Sequence, residues 1–231
     1  MLKLTPEQIA KIDETLVLNG VVYDDIKIEL TDHIASDIEE VMINQGVDFK
    51  TALINSFDKW EAQLRPASNA FWTPFWLNGP KLFIDKWVKE SKQQSLYWLL
   101  LSVFITFTTV WIIMQNKSNK FLVQLEQGYE ILLIVLIVFL FIGRYFVYKS
   151  ETKTIFSYMF NVHCLGSVLI LAIQLICIEF DWYYIFAMNQ KFTMNRLFFN
   201  VFQNIWYIVY SIYSFYFLYN HFQFERKLSK V

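Results

Sequence analysis

The chain is predicted to be all-α: a small cytosolic three-helix domain, an interfacial segment and a four-helix transmembrane bundle. Three observations predict this. Of 231 residues, 55% are hydrophobic and 18% charged, against about 25% charged in soluble domains, and mean hydropathy is positive at +0.33. Four apolar stretches, each close to the ~20 residues that cross a hydrocarbon core, fill the C-terminal part. Residues 1–65 differ: their apolar positions recur at helical spacing, and they hold 13 Asp and Glu against 6 Lys and Arg. That leaves a net charge of −7 there and +6 in the remainder. An acidic head is repelled by phosphate backbones, which argues against direct nucleic-acid binding. It is equally disfavoured on anionic lipid.

The head reads as three helices. In "LTPEQIAKIDETLVLNG", Thr5 suits the N-cap, Pro6 the first helical position, and Gln8 completes a capping box. Ile9, Ile12, Leu16 and Val17 form the stripe, and Gly20 stops the helix. The second helix, within "YDDIKIELTDHIASDIEEVM", buries Ile26, Leu30, Ile34, Ile38 and Val41 on one face and ends at Gly46. Asp48 caps a third helix with Phe49, Ala52, Leu53, Phe57, Trp60 and Leu64 facing inward, and Pro66 stops it. A domain of this size is marginal alone, so it is expected to pack on its membrane half, a second copy or a partner.

The run "ELTDHIASDIEE", then "GVDFKTAL", then an aromatic-ended third helix resembles the HAAS-type, or permease-prefix, helical domains of bacterial membrane proteins. The resemblance covers residues 1 to about 65. It implies a sensory or regulatory role, with partners such as PadR-type regulators or transporter permeases, and a bacterial inner membrane as the location. The third helix is more aromatic and more mixed in charge than the acidic third helix usual in those domains.

The four apolar stretches are 95–114, 129–148, 155–178 and 197–220. Lys81, Lys86, Lys89, Lys92, Arg144, Lys149, Lys153, Arg226, Lys227 and Lys230 flank one side, and Lys117, Lys120, Lys191 and Arg196 the other. Ten against four places both termini in the cytosol by the positive-inside rule. Residues 66–94, with Trp, Phe and Lys around Pro74 and Pro80, read as a cytosolic interfacial segment turned at Asn78-Gly79-Pro80. "FDWYYIFAMNQKF" (180–192) reads as its outer counterpart. The N-terminus lacks the apolar core of a signal peptide. Cys164 and Cys177 lie ~20 Å apart along one helix, so they do not pair within it, and no zinc spacing exists.

Two groups of residues stand out. Glu29, Asp32, His33, Asp37 and Glu40 share the second helix, with Glu29, His33 and Asp37 at i, i+4 and i+8. The plain explanation is a boundary histidine among acids on a protein-docking helix. A pH sensor through His33 and a divalent-metal site are the alternatives, although ~12 Å separates i from i+8 on a helix. In the membrane half, His163, Ser167 and Gln174 face a stripe of Asn200, Gln203, Asn204, Ser211 and Ser214. Antiparallel packing puts Gln174 level with Gln203 or Asn204, and His163 near Ser211 and Ser214. Such groups must find partners in lipid, either each other or the lining of a polar cavity. Arg144 lies close enough to the cytosolic end to snorkel.

No phosphate-binding loop, nucleophile elbow or HExxH motif is present, and no Asp or Glu sits near the middle of a span. The expectation is a non-catalytic accessory or regulatory membrane subunit without cofactor or metal. Its partners would be the bilayer and a protein in a membrane complex or a homo-oligomer. The main alternative is a small oligomeric channel or transporter lined by the third and fourth spans. A lipid-directed enzyme using His163 lacks a second titratable group at the same depth.

Overall fold

The computed structural model describes residues 3–69, 71–74, 77–116, 119–187 and 194–229. The side chains of 176–187, where Cys177 and most of the expected outer interfacial stretch fall, lie outside the described residues, as does the rest of that stretch from residue 188. The elements in order are α1 (Pro6–Leu18), α2 (Asp24–Gln45), α3 (Phe49–Leu64), β1 (Pro66–Ala67), β2 (Gly79–Pro80), α4 (Lys81–Gln115), α5 (Asn119–Lys149), α6 (Ile155–Ala187) and α7 (Met194–Leu228). The fold class is all-α, with a single two-residue strand pair among the described residues. The chain divides into two compact units: residues 1–93 with 151–155, and residues 94–150 with 156–231.

In the first unit, local chemistry sets the helix ends. Thr5 Oγ1 accepts from the Gln8 backbone N–H (3.3 Å), and Gln8 Oε1 accepts from the Thr5 N–H (2.8 Å), closing the capping box. At the other end the Val21 N–H reaches Leu16 O and the Gly20 N–H reaches Val17 O, both at 3.0 Å. This double closure needs a left-handed residue, and Gly20 supplies it at φ 84°. Asp48 Oδ1 accepts from the Thr51 N–H at 3.1 Å and starts α3.

The core gathers Ile12, Leu16, Ile26, Leu30, Ile34, Ile38, Ala52 and Leu64. Val17 remains exposed, and on α3 the small Ser56 is buried while Phe57 is half-buried. Phe83, Ile84 and Trp87, from the first turns of α4, belong to the same core. The stretch expected as an interfacial segment therefore divides in two. Residues 66–67 pair with 79–80, and the Lys81 N–H donates to Arg65 O at 2.9 Å. From Lys81 onward the chain is one helix of 35 residues. At about 1.5 Å per residue it is roughly 50 Å long, well beyond the ~30 Å hydrocarbon core, so several of its turns lie outside lipid.

The second unit buries polar side chains among apolar ones such as Leu133, Leu140, Phe160 and Phe217, and exposes a broad apolar surface. Ser102, Thr106, Ser167, Ser211, Ser214 and His221 are fully buried. Leu96, Leu100, Phe104 and Trp111 on α4, Ile131 and Phe139 on α5, and Leu165 and Leu169 on α6 are exposed. Water would penalise such a surface; lipid does not.

Among the described residues three helices, α4, α5 and α6, are long and apolar enough to cross a membrane, by length and composition. The expected fourth span corrects to a helix that has the length but falls short in hydropathy: α7 is 35 residues long and is not among the three. The reason is its load of Asn, Gln, Ser, Tyr and His, several of which point into the unit.

Candidate functional site

The acidic residues of α2 separate into two groups. Asp37 is turned into the first unit. Its Oδ2 accepts from Trp60 Nε1 at 3.0 Å, and both its oxygens lie 3.0 Å from Lys59 Nζ. Burial pushes its carboxyl up, but the Trp60 and Lys59 hydrogen bonds, the Lys59 charge and His33 together hold it below the usual carboxylate range. His33 is exposed and stacks on Trp60, with ring centroids 6.5 Å apart. Glu29, Asp32 and Glu40 point outward. Glu29 lies 3.5 Å from Lys86 Nζ, and among the described residues neither Asp32 nor Glu40 has an ion pair. Glu29, His33 and Asp37 therefore do not converge: Glu29 faces Lys86, while Asp37 is committed to Lys59 and Trp60.

Sequence reasoning missed the pair at the start of α2, Asp24 and Asp25, which bonds to residues 153–155. It also missed Glu39, whose Oε1 accepts from the Leu4 N–H at 3.0 Å. An Asp-Asp pair opening a helix ordinarily reads as favourable first-turn charge, so nothing in the pattern pointed to a distant partner.

In the second unit the polar residues of α6 and α7 meet. Gln174 Nε2 donates to Asn204 Oδ1 at 2.6 Å, and Tyr129 OH of α5 donates to Gln174 Oε1 at 2.8 Å. Ser167 and Ser214 hydroxyls lie 3.4 Å apart. Gln203, on the same helix as Asn204, is exposed and bonds Tyr207 OH at 3.3 Å. Ser211 Oγ donates back to Tyr207 O at 2.8 Å.

His163 sits against aromatic rings. Tyr210, Tyr213 and Phe217 surround it at 5.0–5.2 Å between centroids, and its Nδ1 is buried without a hydrogen bond. Their i, i+3, i+7 spacing on α7 was the available signal for that box. Beside Asn204 a cavity of about 370 Å³ opens among α4, α5 and α7, lined by Ile105, Thr109, Gly128, Tyr129 and Leu132. The Gln174 amide is spent on Asn204 and Tyr129, so these residues form a brace between helices.

Asn204→Leu should therefore leave Gln174 short of a partner in an apolar setting, at a cost of about 1–2 kcal/mol. The double variant Gln174→Leu/Asn204→Leu should cost less than the sum of the two single changes, since it strands neither amide. Unfolding in mixed micelles measures the cycle; strict additivity would show that the two amides do not support each other.

Comparison of the chain with protein-family models, curated proteins and solved structures returns no match.

Proposed function

We propose that the chain is a non-catalytic, multi-pass accessory or regulatory membrane subunit whose α2 face docks a basic surface of a protein partner. One observation carries this reading. Glu29, Asp32 and Glu40 form an exposed acidic flank on a folded helical unit, and two of the three have no cation of their own among the described residues. Unpaired anions at helical spacing are complementary to Lys or Arg on a partner, and such complementarity chiefly sets specificity and encounter rate. The resemblance of residues 1–65 to permease-prefix domains supports the same reading and a bacterial inner membrane.

In this reading α7 crosses the bilayer with α4, α5 and α6. Several of the side chains that lower its hydropathy are turned inward: Ser211, Ser214 and His221 are fully buried, and Asn204 is bonded to Gln174. Four crossings together with the Lys and Arg bias keep both termini cytosolic.

The test is co-purification from native membranes in mild detergent. Deleting residues 1–65 is unsuitable, because Phe83, Ile84 and Trp87 of the same unit are buried in its core. Asp32→Lys/Glu40→Lys changes only exposed positions. A stoichiometric protein partner should be retained by the wild type and weakened at least about tenfold by the reversal. Purification without any stoichiometric partner, or with one indifferent to the reversal, would sink the proposal.

A further inference from the structure

The start of α2 holds a segment far along the chain. The Asp24 N–H donates to Lys153 O at 2.6 Å, and Asp24 Oδ2 accepts from the Lys153 N–H at 2.8 Å. Asp25 Oδ1 accepts from the Ile155 N–H at 3.0 Å. Ile155 is the first residue of α6 and is fully buried. A first-turn N–H has no partner within its own helix, and here the partner comes from a helix 130 residues earlier.

Asp25 is almost fully buried, at 8% exposure, and its second oxygen, Oδ2, has no hydrogen bond. Among the described residues the cation within 4 Å is Lys86 Nζ at 3.8 Å, which is also 3.5 Å from Glu29 Oε2. Both distances exceed a hydrogen bond. Glu29 and Asp25 are one helical turn apart on α2, and one ammonium is divided between them. Lys27, two residues along α2, is occupied by Asp13 at 3.2 Å and Asp24 at 3.5 Å. Burial pushes the Asp25 carboxyl up, opposed by the Ile155 N–H and the Lys86 charge.

We propose that Glu29, Lys86 and Asp25 form a relay: a basic group that engages Glu29 releases Lys86 to Asp25 and tightens the hold on Ile155 at the start of α6. The trigger rests on the docking function proposed above; the three-residue relay itself does not. The direction follows from burial. Attraction between charges grows as the surroundings lose water, so Lys86 gains more by closing on buried Asp25 than on Glu29, whose side chain is 62% exposed. Glu29 is what holds it midway. Once closed, the ammonium favours the ionised carboxylate, which accepts a stronger hydrogen bond from Ile155 than a neutral one would.

Hydrogen exchange of the peptide spanning 151–157, measured by mass spectrometry on the full chain in nanodiscs, tests the relay without any partner. Glu29→Gln frees Lys86 and should slow exchange there about two- to fivefold. In a Lys86→Met background, which keeps the packing stem and removes the charge, Glu29→Gln should have no effect. Asp25→Asn keeps an acceptor for Ile155 but should also abolish the response to Glu29→Gln. Exchange unchanged by Glu29→Gln, or slowed equally with and without Lys86, overturns the relay. Because the cycle contains no partner, it can fail while Asp32→Lys/Glu40→Lys still loses one, and it can hold where no partner is found.

Discussion

Trp87→Ala is expected to destabilise the first unit by about 3–5 kcal/mol, the range for removing a large buried ring. Trp87 is 2% exposed, and its Nε1 donates to Trp72 O at 2.9 Å. Its ring meets Phe83 at 6.1 Å, and Phe83 in turn stacks on Tyr23 at 4.8 Å. Trp87 thus joins the loop after α3 to the first turns of α4 and, through Phe83, to the residue that precedes α2. Total stability of a domain is about 5–15 kcal/mol, so the loss takes a large share. Residues 66–80 should become open to protease, and the unfolding midpoint of the unit should fall. Trp87→Phe keeps most of the packing and should lose about 1 kcal/mol, the hydrogen bond alone. An alanine variant with the wild-type midpoint and an uncut loop would refute this account.

Gly143→Leu should disrupt the second unit. A Cβ at Gly143 would stand 2.9 Å from both Leu218 Cδ2 and Phe160 Cζ. Phe160 is fully buried, so its ring has little room to yield. Gly143→Ala must already push Leu218 aside, and Leu adds three more carbons. Overpacking of this kind costs about 1–3 kcal/mol and sometimes more. The leucine variant should elute as a broadened or aggregated species in detergent and unfold at lower temperature, with alanine intermediate. Gly128→Leu is the control, because a Cβ there meets nothing within 4 Å. Equal behaviour of Gly143→Leu and Gly128→Leu would mean that the helices at Gly143 are free to separate.

Much of the local structure was legible because it depends on near neighbours. The Thr5–Gln8 capping box, the Gly20 and Gly46 stops and the Asp48 cap involve groups within five residues of one another. The stripe Ile26, Leu30, Ile34 and Ile38 follows from 3.6-residue periodicity. Membrane-length helices followed from apolar run length, and α7 shows where that reading strains. Its length is sufficient, but a polar face turned inward lowers the average on which a hydropathy reading depends.

Of the polar groups in the second unit, the periodicity put Gln174 level with Gln203 or Asn204, and packing selects Asn204. The aromatic box at His163 needed knowledge of which α7 face meets α6. Asp25 was the least legible residue: at an exposed helix start it would be one more first-turn acid, and only the approach of Ile155 and Lys86 changes its chemistry.

The sequence by itself determined an all-α chain with an acidic helical head and helices of bilayer length, because helix caps, periodicity and apolar run length act over a few residues. The tertiary structure alone decided which acids are buried, which stay free, and that residues 151–155 join the N-terminal unit. Those outcomes depend on contacts between segments up to 130 residues apart, and no local pattern encodes which distant backbone N–H a carboxylate will meet.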